Sequence, residues 1–249
     1  MEGLFMFDYR MLLSLLAISA NTTAYAESAA PDVAISGATW KSNVEIGFVK
    51  TAGNTETETL NAKAKAETDR EKWRHTINLE ALNSSDQNVS TAERYLLSGQ
   101  SSFKMGEKNF FFGLLSYEDD RFSGYDYRVT ESVGYGRRVI GDPALTLDLE
   151  IGPGARQSKL DSGKSEDELL ARGAAKLMWK VSDTSKFTED FSTEVGENET
   201  VTKSVTGLSA KVNGSLSTKI SYTIKNTSDV PPGFHRTDSE MAVTLVFDL

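Results

Sequence analysis

Met241-Ala242-Val243-Thr244-Leu245-Val246-Phe247-Asp248-Leu249 is the stretch whose alternation decides the fold. Every second residue from Met241 to Leu249 is large and apolar, and the positions between are Ala242, Thr244, Val246 and Asp248. Side chains on a strand point to opposite faces in turn, so this is a strand with one oily side. Two architectures fit it: the last strand of a β-sandwich, or the closing strand of a membrane barrel whose oily side meets lipid.

Working outward, the same two-residue period recurs along the chain. Leu145, Leu147, Leu149 and Ile151 alternate with Thr146, Asp148 and Glu150. Val44, Ile46 and Phe48 share one face of a first strand, and Leu216, Ile220, Tyr222 and Ile224 share one face of an eleventh. Twelve candidate strands emerge, most of them longer than the 5–6 or so residues usual in soluble sheets and near the length of a tilted membrane strand. The fifth, Asn109–Tyr117, is apolar at nearly every position, so periodicity leaves its orientation open. The links also alternate. Short turns at residues 69–72, 106–109, 141–143, 182–185 and 213–214 contrast with long links expected at 83–92, 118–126, 153–167 and 226–236. That rhythm suits a barrel with turns at one rim and loops at the other. The fold class expected is all-β, an antiparallel transmembrane barrel over residues 40–249.

The front of the chain reads as targeting. Arg10 precedes an apolar run from Met11 to Ile18, and Ala24-Tyr25-Ala26 supplies small residues for cleavage before Glu27. Residues 1–26 are therefore expected to be a signal peptide, and 27–39 a loose leader. No later apolar run approaches the roughly 18 residues a membrane helix needs.

Composition narrows the function. Cysteine is absent, which removes disulfides, thiolate metal sites and a lipidated N-terminal cysteine. The formal charge of −9 argues against a nucleic-acid partner. Only two histidines occur, His75 and His235, and neither has the spacing of a triad or a metal site. Asp119, Asp120 and Asp126 read as a solvated acidic loop. No cofactor, metal or catalytic residue is expected. The charged residues that share the non-oily parity are Glu45, Glu80, Arg94, Asp148, Glu150, Arg172, Lys176, Lys180 and Lys219. These are expected to face a lumen, with Asp148 and Glu150 neighbouring Arg172 and Lys176. Opposite charges paired across strands either plug such an interior or line a pathway for small solutes or ions.

Three motifs carry a resemblance. They are Gly47-Phe48-Val49-Lys50-Thr51-Ala52-Gly53-Asn54-Thr55, Arg121-Phe122-Ser123-Gly124-Tyr125-Asp126-Tyr127-Arg128, and Gly152-Pro153-Gly154 after a central strand. With the closing strand they resemble the YdiY-like salt-induced outer-membrane protein family. The resemblance implies a small secreted barrel in the cell outer membrane, surrounded by outer-membrane lipid. It also implies induction under salt stress, with no defined reaction or substrate. The C-terminal strand is the expected recognition element for the barrel assembly machinery, although here Asp248 and Leu249 follow the last aromatic. A lipid-modifying barrel enzyme and a soluble periplasmic β-protein are the alternatives.

Overall fold

A computed structural model describes residues 40–51, 57–87 and 89–249; the expected signal peptide and leader lie outside these residues. Twelve strands follow one another: β1 (Trp40–Thr51), β2 (Thr57–Asp69), β3 (Trp73–Asp86), β4 (Val89–Lys104), β5 (Asn109–Asp120) and β6 (Tyr125–Gly141). The second half is β7 (Leu145–Leu160), β8 (Ser165–Lys180), β9 (Ser185–Gly196), β10 (Thr200–Lys211), β11 (Leu216–Thr227) and β12 (Thr237–Asp248). Each pairs antiparallel with its neighbours in sequence, and β1 pairs with β12, so the sheet closes into a barrel without a free edge. The closing ladder is short, running from Asn43↔Asp248 to Ile46↔Leu245. Trp40 and Leu249 mark one rim, the terminal rim; the other is the far rim.

The alternation sorts side chains cleanly. Ile46, Phe48, Leu79, Leu97, Leu115, Val133, Ile151, Leu169, Val243 and Leu245 are exposed on the outer wall. Glu45, Asn61, Arg128, Asp148, Glu150, Arg156, Arg172 and Thr244 are buried inside it. This inverts the arrangement of a water-soluble protein, where exposed apolar area on this scale is rare. Trp40, Trp73, Phe103, Phe111, Tyr135, Trp179 and Phe247 ring the outer wall near the terminal rim, with Trp73 against Phe103 at 5.1 Å and Phe111 against Tyr135 at 6.1 Å. A second tier nearer the far rim includes Tyr95, and Tyr117 stacked on Tyr127 at 6.1 Å. From Tyr95 to Phe103 a tilted strand gains roughly 20 Å of height, close to the apolar band of an outer-membrane barrel.

The fifth strand is resolved by its neighbour. Phe110 and Phe112 point inward at 4% exposure each, whereas Phe111 points out at 52%. The inward rings lie over Gly136 and Gly134 of β6, where a Cβ would stand 2.2 Å from Phe110 and 2.8 Å from Phe112. Gly134 also faces Gly152 of β7, and a Cβ on Gly152 would fall 2.0 Å from the Val133 carbonyl oxygen. Two strands approach here more closely than side chains permit, at the wall that carries Pro153.

The expected rhythm of short and long links does not hold. Strands β3 to β8 continue through most of the residues assigned to long loops: β3 reaches Asp86, β4 starts at Val89, β7 ends at Leu160 and β8 starts at Ser165. β6 runs for 17 residues, and β4, β7 and β8 for 16 each, against 12 for β9 to β12. Above the apolar band both faces of a strand are polar, so the ladder continues after the alternation has ended. Among the described links only residues 228–236 remain long. This strap leaves β11, crosses to the far wall and rests on the β5–β6 turn. A Cβ on Gly124 would lie 2.9 Å from both Phe234 and Pro231, and the Gly124 φ of +82° is one that L residues seldom adopt.

Gly152→Val is expected to destabilise the barrel by more than about 3 kcal/mol, because its side chain has only backbone to displace. Urea titration of the protein refolded in lipid vesicles measures this, with Gly173→Ala, whose Cβ meets nothing closer than 3.7 Å, as the tolerated comparison.

Candidate functional site

Two side chains on strands that are not neighbours in the wall meet only by crossing the lumen. Many do so here. Near the terminal rim, Asp148 of β7 accepts two hydrogen bonds from Arg138 of β6, both 2.7 Å, and one from Arg74 of β3 at 3.2 Å. One level up, Gln100 of β4 donates to Glu150 of β7 at 2.8 Å and accepts from Lys176 of β8 at 2.8 Å. Lys176 also donates to Glu150 at 3.1 Å. Arg172 lies between Glu150 and Glu194 at 3.6 and 3.7 Å, as an ion pair without a direct hydrogen bond.

The other half of the interior is crossed in the same way. Arg94 of β4 reaches Glu240 of β12 at 2.9 Å, and Asn61 of β2 donates to the same carboxylate. Lys203 of β10 stands 3.8 Å from Glu80 of β3, and Lys225 of β11 donates to Glu118 of β5 at 2.5 Å. Lys219 donates to Glu45 at 2.8 Å across the β12–β1 closure.

The densest knot sits under the far rim. Arg156 of β7, 2% exposed, donates to Glu168 at 2.8 Å, to Glu194 at 2.6 Å and to Glu199 at 2.9 Å. Glu199 belongs to the β9–β10 turn, which folds inward so that its carboxylate also accepts from Arg128 at 3.3 Å and from Tyr125 at 3.2 Å. The Arg128 guanidinium lies 4.5 Å from the Tyr125 ring. The planar five-donor fork serves three carboxylates from two separate nitrogens, Nη1 to Glu168 and Glu199 and Nη2 to Glu194, where a lysine would have to crowd all three around one atom. Above this knot the strap roofs the mouth, leaving cavities of about 350 and 260 Å³ beside it. A further cavity of about 100 Å³ lies in the middle, and wider ones of about 620 and 540 Å³ open at the terminal rim.

Glu45, Glu80, Arg94, Asp148, Glu150, Arg172, Lys176 and Lys219 each take part in these contacts. Glu150 meets Arg172 and Lys176 as neighbours, but Asp148 turns instead to Arg74 and Arg138. Sequence reasoning missed Arg156, Glu168, Glu194, Glu199, Glu118 and Lys225. Arg156 and Glu118 fall in segments taken for loops, and Glu199 lies in a turn, where parity carries no information. His75 is outside, stacked at 5.7 Å on Trp73 and bonded to Ser101 at 2.8 Å. Among the described residues no group of histidine and carboxylate side chains is arranged to hold a metal ion.

A family model described as "Protein of unknown function, DUF481" matches residues 44–249, which is nearly all of the barrel. The chain belongs to the DUF481 family. It is a YdiY-like member: it is 27% identical to the uncharacterized protein YdiY of Escherichia coli (strain K12) over 215 residues, covering 84% of this chain and 83% of YdiY. Among solved structures it is similar to the NanC porin at 11% identity and a TM-score of 0.54, covering 84% of this chain and all of that one. It is also similar to the KdgM porin at 10% identity and a TM-score of 0.44, covering 85% of this chain and 99% of that one. The fold is that of outer-membrane porin-like barrels.

Arg156→Met is expected to cost about 3–5 kcal/mol, since it removes the shared cation from three neighbouring carboxylates and leaves buried Glu168 without an ion-pair partner. Adding Glu168→Gln and Glu194→Gln should return part of the loss. Unfolding of the three proteins in vesicles tests the order, and an Arg156→Met barrel as stable as wild type would contradict it.

Proposed function

We propose that the chain is an outer-membrane barrel with an envelope role, forming a narrow, normally shut pathway for small solutes or ions. The supporting observation is the interior itself: charged side chains bridge opposite walls at several levels, with cavities above, between and below them. A purely structural plug gains more from apolar filling, because pairing buried ions seldom repays their desolvation. A polar, ion-paired interior divided into small cavities suits passage under control. In this reading the apolar wall faces outer-membrane lipid, the terminal rim faces the periplasm, and the strap with Glu199 shuts the outer mouth. β12 is the strand that the assembly machinery engages. A tie to salt or osmotic stress rests on the family resemblance alone; high ionic strength screens exposed pairs such as Arg121–Glu93 far more than buried Arg156.

Among the described residues no side-chain constellation favours the enzyme reading. Ser123, His235 and Asp238 border one far-rim cavity, but the Ser123 hydroxyl donates to the Asp120 carbonyl at 2.7 Å. No hydrogen bond joins the three to one another.

Planar-bilayer recording tests the pathway. Wild type should give small, infrequent conductance steps, and deletion of residues 229–235 combined with Glu199→Ala should raise open probability severalfold. If both proteins insert and both are silent, the interior is a plug.

A further inference from the structure

We infer that the wider terminal-rim cavity is a binding site for a small multivalent anion, such as a polycarboxylate or a phosphate ester. Lys180 of β8 and Lys186 of β9 are direct cross-strand partners and both face inward. Like charges placed directly opposite each other destabilise a sheet. Lys211 of β10 stands on the same wall, two residues beyond Ser209, the partner of Lys186. Among the described residues no carboxylate lies within 4.0 Å of any of these three ammonium groups, whereas Lys176, Lys203, Lys219 and Lys225 deeper in the lumen each have one.

An uncompensated lysine triad is therefore a local feature of this wall. It borders a cavity of about 620 Å³, within the size range of small-ligand sites. The remaining wall is rich in hydroxyls, including Ser182, Ser185, Thr188 and Ser217, and has few apolar side chains. Such a lining offers donors to oxyanions and little to an apolar ligand. Asp183 and Asp248 share the cavity without ion-pair partners, and Glu45 is taken by Lys219, so the net positive excess is small. The attraction comes from three cations held together on β8 to β10. A multivalent anion that engages several of them at once is therefore favoured over a monovalent one. The cavity opens at the terminal rim whether or not the far rim ever does, so binding does not depend on conductance.

Calorimetric titration of the full barrel in detergent at low ionic strength, with tripolyphosphate in one arm and citrate in the other, tests the site. Saturable binding of at least one probe is expected, at least tenfold weaker in Lys180→Gln/Lys186→Gln and unchanged in Lys164→Gln at the far rim. If one probe alone binds, it identifies the oxyanion class. Lys211→Gln alone should weaken binding severalfold, so the inference stays testable if the double variant fails to fold. Absence of saturable binding by both probes, or equal weakening in Lys164→Gln, overturns the site. Silent bilayers combined with binding that depends on these lysines would leave the site intact and remove only the pathway.

Discussion

The constraint on which the whole structure depends is that backbone N–H and C=O groups behind an apolar wall must bond to one another. If the wall of Leu97, Leu115, Val133 and Ile151 faces lipid, as proposed, nothing outside it can accept or donate, so each strand needs two partners; the sheet closes accordingly. Closure makes an inside, and the two-residue period then fills it with whatever the outer wall rejects. The charged lumen and the oily exterior are two readings of one alternation.

Closure also sets the energetics of the interior. Charged side chains inside a narrow barrel lose water, and those deep in the lumen pair with a neighbouring or facing wall. Arg156 with three carboxylates, Arg128 between Glu118 and Glu199, and Lys225 on Glu118 are such solutions. They tie β5 to β11 and β6 to the β9–β10 turn, contacts that no ladder supplies. The same pairs that stiffen the cylinder divide its bore, so opening a path through it means exchanging partners at several levels. Lys180, Lys186 and Lys211 of the terminal rim stand apart from this pattern, because none of them has an ion-pair partner among the described residues.

Much of this was legible in the sequence, and the limits have physical causes. Twelve strands, their order and the outward faces of β1, β7, β11 and β12 follow from alternation, since outer wall and lumen carry opposite kinds of residue. Strand ends beyond the apolar band do not follow, because residues 83–86 and 157–159 are polar on both faces and carry no apolar alternation. Periodicity also could not orient Phe110, Phe111 and Phe112. The glycines opposite, Gly134 and Gly136, hold that information, and it appears only once the register is known. For the charged set, parity selected side chains within regular strands such as Glu45, Glu150 and Lys219. Parity missed Arg156 and Glu199 because one lay in a presumed loop and the other is brought inward by a turn. Which charges meet across a lumen depends on shear, and spacing along a single strand does not contain it.

The central claim is that lipid covers the outer wall, and the three tryptophans test it most directly. Trp40, Trp73 and Trp179 are all outward-facing and all near the terminal rim. In vesicles containing brominated phospholipids, their fluorescence should be quenched strongly by bromines placed near the headgroup end of the acyl chains and weakly by bromines near the bilayer centre. Fluorescence indifferent to bromine at every depth, from a protein verified as folded in those vesicles, would contradict the account.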